Sequence, residues 1–159
     1  MSSDKSLPVL ALDVDGPLAL MGSHEHLRVV EKRIDVIPVV ISSDLPARLR
    51  LLTAHFRIVW ASSWGKRASQ KIATLVGLPR GLPFIDFEKY PNSRVGESYK
   101  LPGLRTWLKS LPAAVVDDEV GEDMRAWAAE RPDTLVVEVD PRFGLQEDHV
   151  SQLLEFSIK

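Results

Sequence analysis

The sequence predicts an α/β domain built on a doubly wound, mainly parallel five-stranded sheet with a β-hairpin flap. Three observations predict it. Short apolar runs alternate with stretches of helical period, the pattern of strands joined by helical crossovers. The first run, Pro8-Val9-Leu10-Ala11-Leu12-Asp13-Val14, is apolar on both faces apart from Asp13, as a strand inside a parallel sheet must be. The third observation is that polar residues gather where such runs stop, at Asp13 and Asp15, Ser62, and Asp117-Asp118. In open α/β sheets, ligands bind beyond those carboxyl ends.

After the first strand come two β-rich pieces, 27–30 and 36–41, separated by charged residues and read as a hairpin. Ser42-Ser43-Asp44 supplies helix N-caps, and Pro46 sits in the first turn, where a missing N–H costs little. Leu45, Leu49 and Leu52 then mark one buried helical face. Residues 57–61 form the second core strand, ending in Ser62-Ser63. A helix through Ala68, Ile72, Leu75 and Val76 stops at Gly77, a C′ glycine. The third strand is placed at 84–87, between prolines.

Pro102 opens a helix through Leu104, Trp107, Leu108 and Leu111. Residues 113–116 form a strand running into Asp117-Asp118, and Met124, Trp127 and Ala128 mark a short helix. The last strand is 134–139, and a helix carrying Val150, Leu153 and Leu154 closes the chain. All 159 residues are read as one domain, with 1–7 a flexible N-terminal arm.

Composition narrows the function classes. With 45% hydrophobic and 26% charged residues, the chain has the balance of an ordinary globular protein, which excludes disordered, collagen-like and coiled-coil readings. A domain of this length buries roughly 70% of its unfolded surface, so no staple is needed. Cysteine is absent, which excludes disulfides, thiolate metal sites and a cysteine nucleophile and suits a reducing, cytoplasmic setting. No apolar run approaches the roughly 18 residues of a membrane helix, and the carboxylate of Asp13 disqualifies the first run as a secretion signal. Net charge is −2, and it is unevenly spread. Residues 1–64 carry 7 basic and 7 acidic groups, 65–100 carry 7 and 3, and 101–159 carry 6 and 12. A basic middle segment of this kind suits an anionic substrate.

Four aspartates meeting at one sheet edge repel one another, so they imply a cation. An oxygen-only donor set favours Mg²⁺. Asp13 is placed to present a carboxylate to a phosphorus atom and to the metal, with Asp15 two residues on and Gly16 allowing a sharp turn. Ser62 is suited to hydrogen-bond a phosphoryl oxygen, with Ser63 beside it as the alternative, and Lys100 to neutralise its charge. Phosphoryl transfer asks little more of a protein than such positioning and electrostatic stabilisation. His24 and His26 lack a third ligand nearby and are read as solvent-facing, while His55 and His149 are ordinary helix positions. Trp60 is placed in the core, with Trp64 beside the serine pair as a ring suited to stack on a substrate. Glu122 and Asp123 are read as first-turn acids that complement a helix dipole.

The order Leu-Asp13-Val-Asp15-Gly16-Pro-Leu, a hydrophobic strand ending at Ser62, Lys100, then Val-Val-Asp117-Asp118 resembles the haloacid dehalogenase (HAD) superfamily. All four of that superfamily's motifs appear in order over residues 9–118. The resemblance implies a Rossmann-like sheet and a Mg²⁺-dependent phosphatase working through an aspartyl-phosphate. It implies Asp13 as nucleophile, Asp15 as general acid and then base, and Ser62 and Lys100 on the phosphate. For the metal it implies Asp13, Asp15 through its carbonyl, and Asp117, with Asp118 either a ligand or the support of one. Serine at 62 and proline at 17 depart from the commoner residues of the pattern.

More narrowly, Asp-Val-Asp-Gly-Pro-Leu, Val-Trp-Ala-Ser-Ser-Trp, Val-Asp-Asp-Glu and Asp140-Pro-Arg-Phe-Gly-Leu resemble small capless bacterial HAD-like hydrolases, and similar modules occur in some RNA-repair proteins. The intervals on either side of Ser62 are too short for a typical cap, which implies an open site suited to macromolecular or terminal phosphates. The expected partner is a phosphorylated substrate, with a nucleic-acid end as one alternative and a catalytically silent scaffold on the same fold as another. A phospho-receiver domain also uses acids and a lysine at strand ends, but its acid pair comes early and its lysine late; here Asp117-Asp118 follows Lys100.

Overall fold

In the computed structural model of the chain, residues 6–22, 28–92 and 95–159 are described. His24, His26 and the first residue expected in the hairpin, Leu27, lie outside them, as do residues 1–5 of the expected N-terminal arm.

Four parallel strands form the central sheet. They are β1 (Val9–Leu12), β4 (Arg57–Trp60), β5 (Ala113–Asp117) and β6 (Thr134–Glu138), in the order β4-β1-β5-β6. Alternate residues of β1 feed opposite layers, Leu10 and Leu12 to one and Val9 and Ala11 to the other, and all four are buried. This two-sided burial is why the run is apolar throughout rather than alternating. On one face lie α1 (Leu45–Thr53), α2 (Ala73–Val76) and α5 (Glu147–Ser157), contributing Leu49, Val76 and Leu153. On the other lie α3 (Leu101–Leu108) and α4 (Glu122–Ala129), contributing Leu104 and Met124. Trp60 is fully buried in the first layer, as the sequence suggests.

β2 (Val29–Ile34) and β3 (Ile37–Ser42) form a separate antiparallel hairpin, closed at Asp35 and Val36. Its inward residues Ile34, Val39 and Ile41 join the first core layer, and the main-chain N–H of Leu20 donates to the Val40 carbonyl at 2.8 Å. The hairpin is thus moored to the chain leaving β1.

The sheet has four strands where the sequence suggests five. The segment 84–87 makes a single bridge, Phe84 to Trp60, and then leaves. Pro83 has no N–H to extend the ladder. Asp86 accepts from the Glu88 N–H at 3.2 Å and turns the chain into a short 3₁₀ helix, Phe87–Lys89. Local capping chemistry wins over strand propensity here.

Most helix boundaries follow the sequence signals, but α3 stops at Leu108, short of the expected Leu111, because Lys109 takes a positive φ of 52°. Asp44 precedes α1 and Pro46 occupies its first turn, yet the Asp44 side chain makes no cap bond; the Asp44 N–H donates to Ser42 Oγ at 3.2 Å instead. A π-helical stretch, Ala68–Ile72, runs into α2, which ends at Gly77 with φ +80°. Among the described residues, neither interval flanking the β4 terminus holds a large cap: one contains the hairpin and α1, the other the π-helical turn, α2 and the 3₁₀ turn. Among the described residues no helix is long and apolar enough to cross a membrane.

The left-handed conformation at Gly77 costs an L-residue about 1–2 kcal/mol. Gly77→Ala should therefore lower the unfolding free energy measured by urea titration by that amount, and Gly77→Asn by less, since asparagine tolerates this region better.

Candidate active site

The chain leaves β1 on opposite sides of two crossovers: β4 lies on one side of β1 and β5 on the other. Such a reversal opens a crevice at the carboxyl ends of the strands. Register fixes what faces it. Leu12 lies level with Trp60 and with Val116, so the next residues, Asp13, Ala61 and Asp117, emerge side by side. The Asp13 N–H donates to the Val116 carbonyl at 3.1 Å and the Ala61 N–H to the Leu12 carbonyl at 2.8 Å, extending the ladder one residue into the site.

Lys100 precedes α3 and is pointed at this edge. Its Nζ lies 3.0 Å from Asp13 Oδ1 and 2.6 Å from Asp117 Oδ2, and it donates to the Ala61 carbonyl at 2.8 Å. All three ammonium donors are satisfied by groups from three adjacent strand ends. The three side chains are buried, with Lys100 6%, Asp13 5% and Asp117 2% exposed. Asp117 Oδ1 also accepts from the Glu119 N–H at 3.0 Å.

Oxygen atoms of Asp13, Asp117 and Asp118 lie within 4.8 Å of one another. One ammonium therefore faces three carboxylates. Burial pushes the Asp13 carboxyl up to about 8, against the pull of Lys100 and with the help of Asp117. Burial, and next its hydrogen bond to Asp117, raises Asp118 as well. Burial opposes charge on Lys100, yet the two carboxylates outweigh it and hold its pKa above the ordinary value. The site wants more positive charge than the protein supplies, and an all-oxygen donor set at this spacing fits a hard divalent cation. Asp13, Asp117 and Asp118 are the residues to hold it.

Gly16 is the residue that lets the first and last acidic segments meet. It adopts φ +103°, and a Cβ there would stand 2.6 Å from Asp118 Cβ and Cγ. Pro17, whose role the sequence leaves open, offers its carbonyl to the Leu145 N–H at 2.9 Å. The 140–145 segment is a self-braced turn: Asp140 accepts from the Arg142 main chain at 2.9 Å and guanidinium at 2.7 Å, and the Gly144 N–H donates to the Asp140 carbonyl at 2.8 Å. It buttresses the loop that carries Asp15.

Asp13, Asp15, Ser63, Lys100, Asp117 and Asp118 line one cavity of about 620 Å³. Ser62 stands apart. It is buried, its Oγ accepts from the Trp64 N–H at 3.2 Å, and it lines a neighbouring cavity, whereas exposed Ser63 lines both. None of the described hairpin residues lines the acidic cavity; Met21, just before the hairpin, does.

Two supporting residues were not foreseen. Trp64 Nε1 donates to Asp15 Oδ2 at 3.1 Å, and the Arg67 guanidinium covers its ring at 4.9 Å. Trp64 thus holds the one exposed aspartate of the set, a role beyond the stacking ring read from sequence. Asp123 accepts from the Ser98 N–H at 2.7 Å and its hydroxyl at 2.5 Å, so it pins the loop before Lys100 as well as standing in the first turn of α4. No sequence signal marks either contact, because each joins segments 25 or more residues apart. His149 is a capping residue: its Nδ1 accepts from the Gln146 N–H at 2.9 Å.

A parallel sheet whose first strand ends in Asp-x-Asp-Gly, with a buried lysine and a double aspartate closing on it, defines a HAD-like domain. Residues 9–150 match the family model of the HAD domain in Swiss Army Knife RNA repair proteins, and the chain belongs to that family. A comparison with curated proteins finds no match.

Two outcomes check this geometry. Without metal, folded Asp13 keeps its proton to about pH 8 while the unfolded chain releases it near 3.8. Its stabilising contribution is thus complete below about pH 4 and is lost as pH rises through 8. Chelated protein should lose urea resistance between about pH 4 and about pH 8 and level off above that, and Asp13→Asn, which cannot titrate, should flatten that slope. Separately, Gly16→Ala should leave the fold measurable by circular dichroism but weaken divalent-cation binding at least about tenfold, since Asp118 must move.

Proposed function

We propose that the chain is a Mg²⁺-dependent phosphohydrolase that removes a terminal phosphate from a nucleic-acid end, through an aspartyl-phosphate on Asp13. The observation that carries this reading is the buried Asp13 carboxyl at the switch point, 3.0 Å from Lys100 and sharing its cavity with Asp15. The family's description as a domain of RNA repair proteins supports the nucleic-acid end over a small metabolite, and so does the lack of a large cap. A cysteine-free chain suits work in the cytoplasm.

Asp13 Oδ attacks phosphorus, forming an acyl phosphate while the bond from phosphorus to the leaving oxygen breaks. Asp15 gives its proton to that oxygen. In the second half Asp15 takes a proton from water as the water oxygen attacks the same phosphorus, which frees inorganic phosphate and restores Asp13. Trp64 keeps the Asp15 carboxylate turned toward the cavity in both halves. Lys100 and the Ser63 hydroxyl, or Ser62 after a small local rotation, neutralise and bind the equatorial oxygens. Mg²⁺, held by Asp13, Asp117, Asp118 and the Asp15 carbonyl, would add positive charge at the phosphoryl group and keep Asp13 ionised.

Asp13→Asn should cut turnover of an oligonucleotide 3′- or 5′-phosphate by at least about a thousandfold while sparing the fold. Asp15→Asn should still be labelled slowly by a phosphorylated substrate and fail to release phosphate, so that a phosphoenzyme accumulates in single-turnover assays. Wild-type activity in either variant refutes the assignment. Absence of both turnover and beryllium fluoride binding in the native protein would point to a silent scaffold instead.

A further inference from the structure

A second cavity, of about 740 Å³, adjoins the acidic one, and Ser63 and Tyr99 line both. Its walls are aromatic. Trp64, Phe84, Phe87, Tyr90 and Tyr99 all face it, five of the eleven aromatic side chains of a sequence with 5 Phe, 4 Trp and 2 Tyr. Core rings seldom remain accessible, but Tyr99 is 48% exposed. Phe87 props it edge-on, with centroids 5.7 Å apart at 75°, and Lys100 Nζ lies 5.8 Å from its ring centroid. One ring therefore reaches from the ammonium of the acidic site to the mouth of the second cavity.

The polar groups of this cavity indicate what it takes. Asp86 and Glu88 bring two carboxylates against the single ammonium of Lys66. A phosphate gains nothing there. A flat neutral ring with hydrogen-bond donors on its edge gains both stacking and acceptors, and adenine and cytosine carry such a donor as an exocyclic amine. The surroundings also set a direction. The acidic cavity's other rim carries Glu119, which repels a polyanion, so the nucleoside is directed to the second cavity.

We infer that the second cavity is a nucleoside subsite, in which the base next to the reacting phosphate stacks on Tyr99 and offers its amine to Asp86 and Glu88. The inference rests on the proposed action at a phosphorylated end and names what stands on the other side of that phosphate. The shared ligand chemistry is a nucleoside monophosphate unit, present equally in a free mononucleotide and at a nucleic-acid terminus.

Two measurements test it. In the first, metal-free protein is titrated with adenosine, cytidine and uridine by calorimetry, which reads the subsite without any turnover. Binding of adenosine and cytidine in preference to uridine is expected. Tyr99→Ala should weaken it roughly five- to a hundredfold, Tyr99→Phe should restore it, and Glu88→Gln should narrow the preference for amine-bearing bases. In the second, kcat/KM is compared for an oligonucleotide 3′-phosphate, the matching mononucleotide and glycerol phosphate. The ratio of nucleotide to glycerol phosphate should fall in Tyr99→Ala by the same factor as nucleoside binding. Equal turnover of oligonucleotide and mononucleotide would make the free nucleotide the source, and preference for the oligonucleotide the nucleic-acid end; the subsite stands in both cases. Preference for nucleotides that survives Tyr99→Ala overturns the subsite and leaves the hydrolase reading intact. Nucleoside binding lost in Tyr99→Ala without hydrolysis of any phosphate overturns the hydrolase reading alone. Failure of all three nucleosides to bind overturns the subsite.

Discussion

The contact on which the rest depends is the buried Lys100 ammonium, shared between Asp13 and Asp117 and closed by the Ala61 carbonyl. Burying an ion pair costs more in desolvation than it returns unless every donor is used, and here every donor is. Removing either partner would strand a buried charge at the edge of the sheet. The third carboxylate, Asp118, makes the cluster worse for stability: burial and its neighbour Asp117 raise its own proton affinity, and the Lys100 ammonium is already shared between the other two acids. A purely structural edge would have replaced it with an apolar side chain. Its presence, and the backbone of Gly16 pressed against it, leave three carboxylates spaced as the ligands of an added cation would be.

Around that cluster, loops far apart in sequence are held by contacts that have little to do with the core. The Asp140 turn supports the loop after β1, Asp123 holds Ser98 just ahead of Lys100, and Trp64 holds Asp15. Each uses a carboxylate as acceptor, and two of these, Asp123 and Asp140, belong to the acidic last third of the chain, whose charge is therefore partly a local scaffold rather than only a solvated face. This reassigns Asp123: its first-turn position is real, but its hydrogen bonds to Ser98 hold its carboxyl below the usual range despite the opposing effect of burial.

The absence of a large cap leaves access to be shaped by side chains rather than by a lid. Tyr99 and Ser63 stand at the junction of two cavities, and the aromatic ring sits close enough to Lys100 to belong to both. An open, two-chambered site handles a substrate whose reacting phosphate is small but whose attached group is not.

The sequence alone determined the α/β class, the sheet's two-sided apolar strand, the helix stops and the ordered acids. Periodicity, glycine and proline placement and strand-end polarity are local properties, and Leu10, Gly77, Asp13 and Asp117 carry them within a few residues. Local signals failed at 84–87, where strand propensity gave way to the proline at 83 and the Asp86 cap. They also failed to separate Ser62 from Ser63, because the burial of one and the exposure of the other to both cavities are set by the packing around them. Only the tertiary structure decided that Lys100 bridges Asp13 and Asp117, that Trp64 reaches Asp15, and that an aromatic chamber opens beside them. Those facts depend on the register of parallel strands and on crossovers of tens of residues, and no short stretch of chain encodes the distance between its two ends.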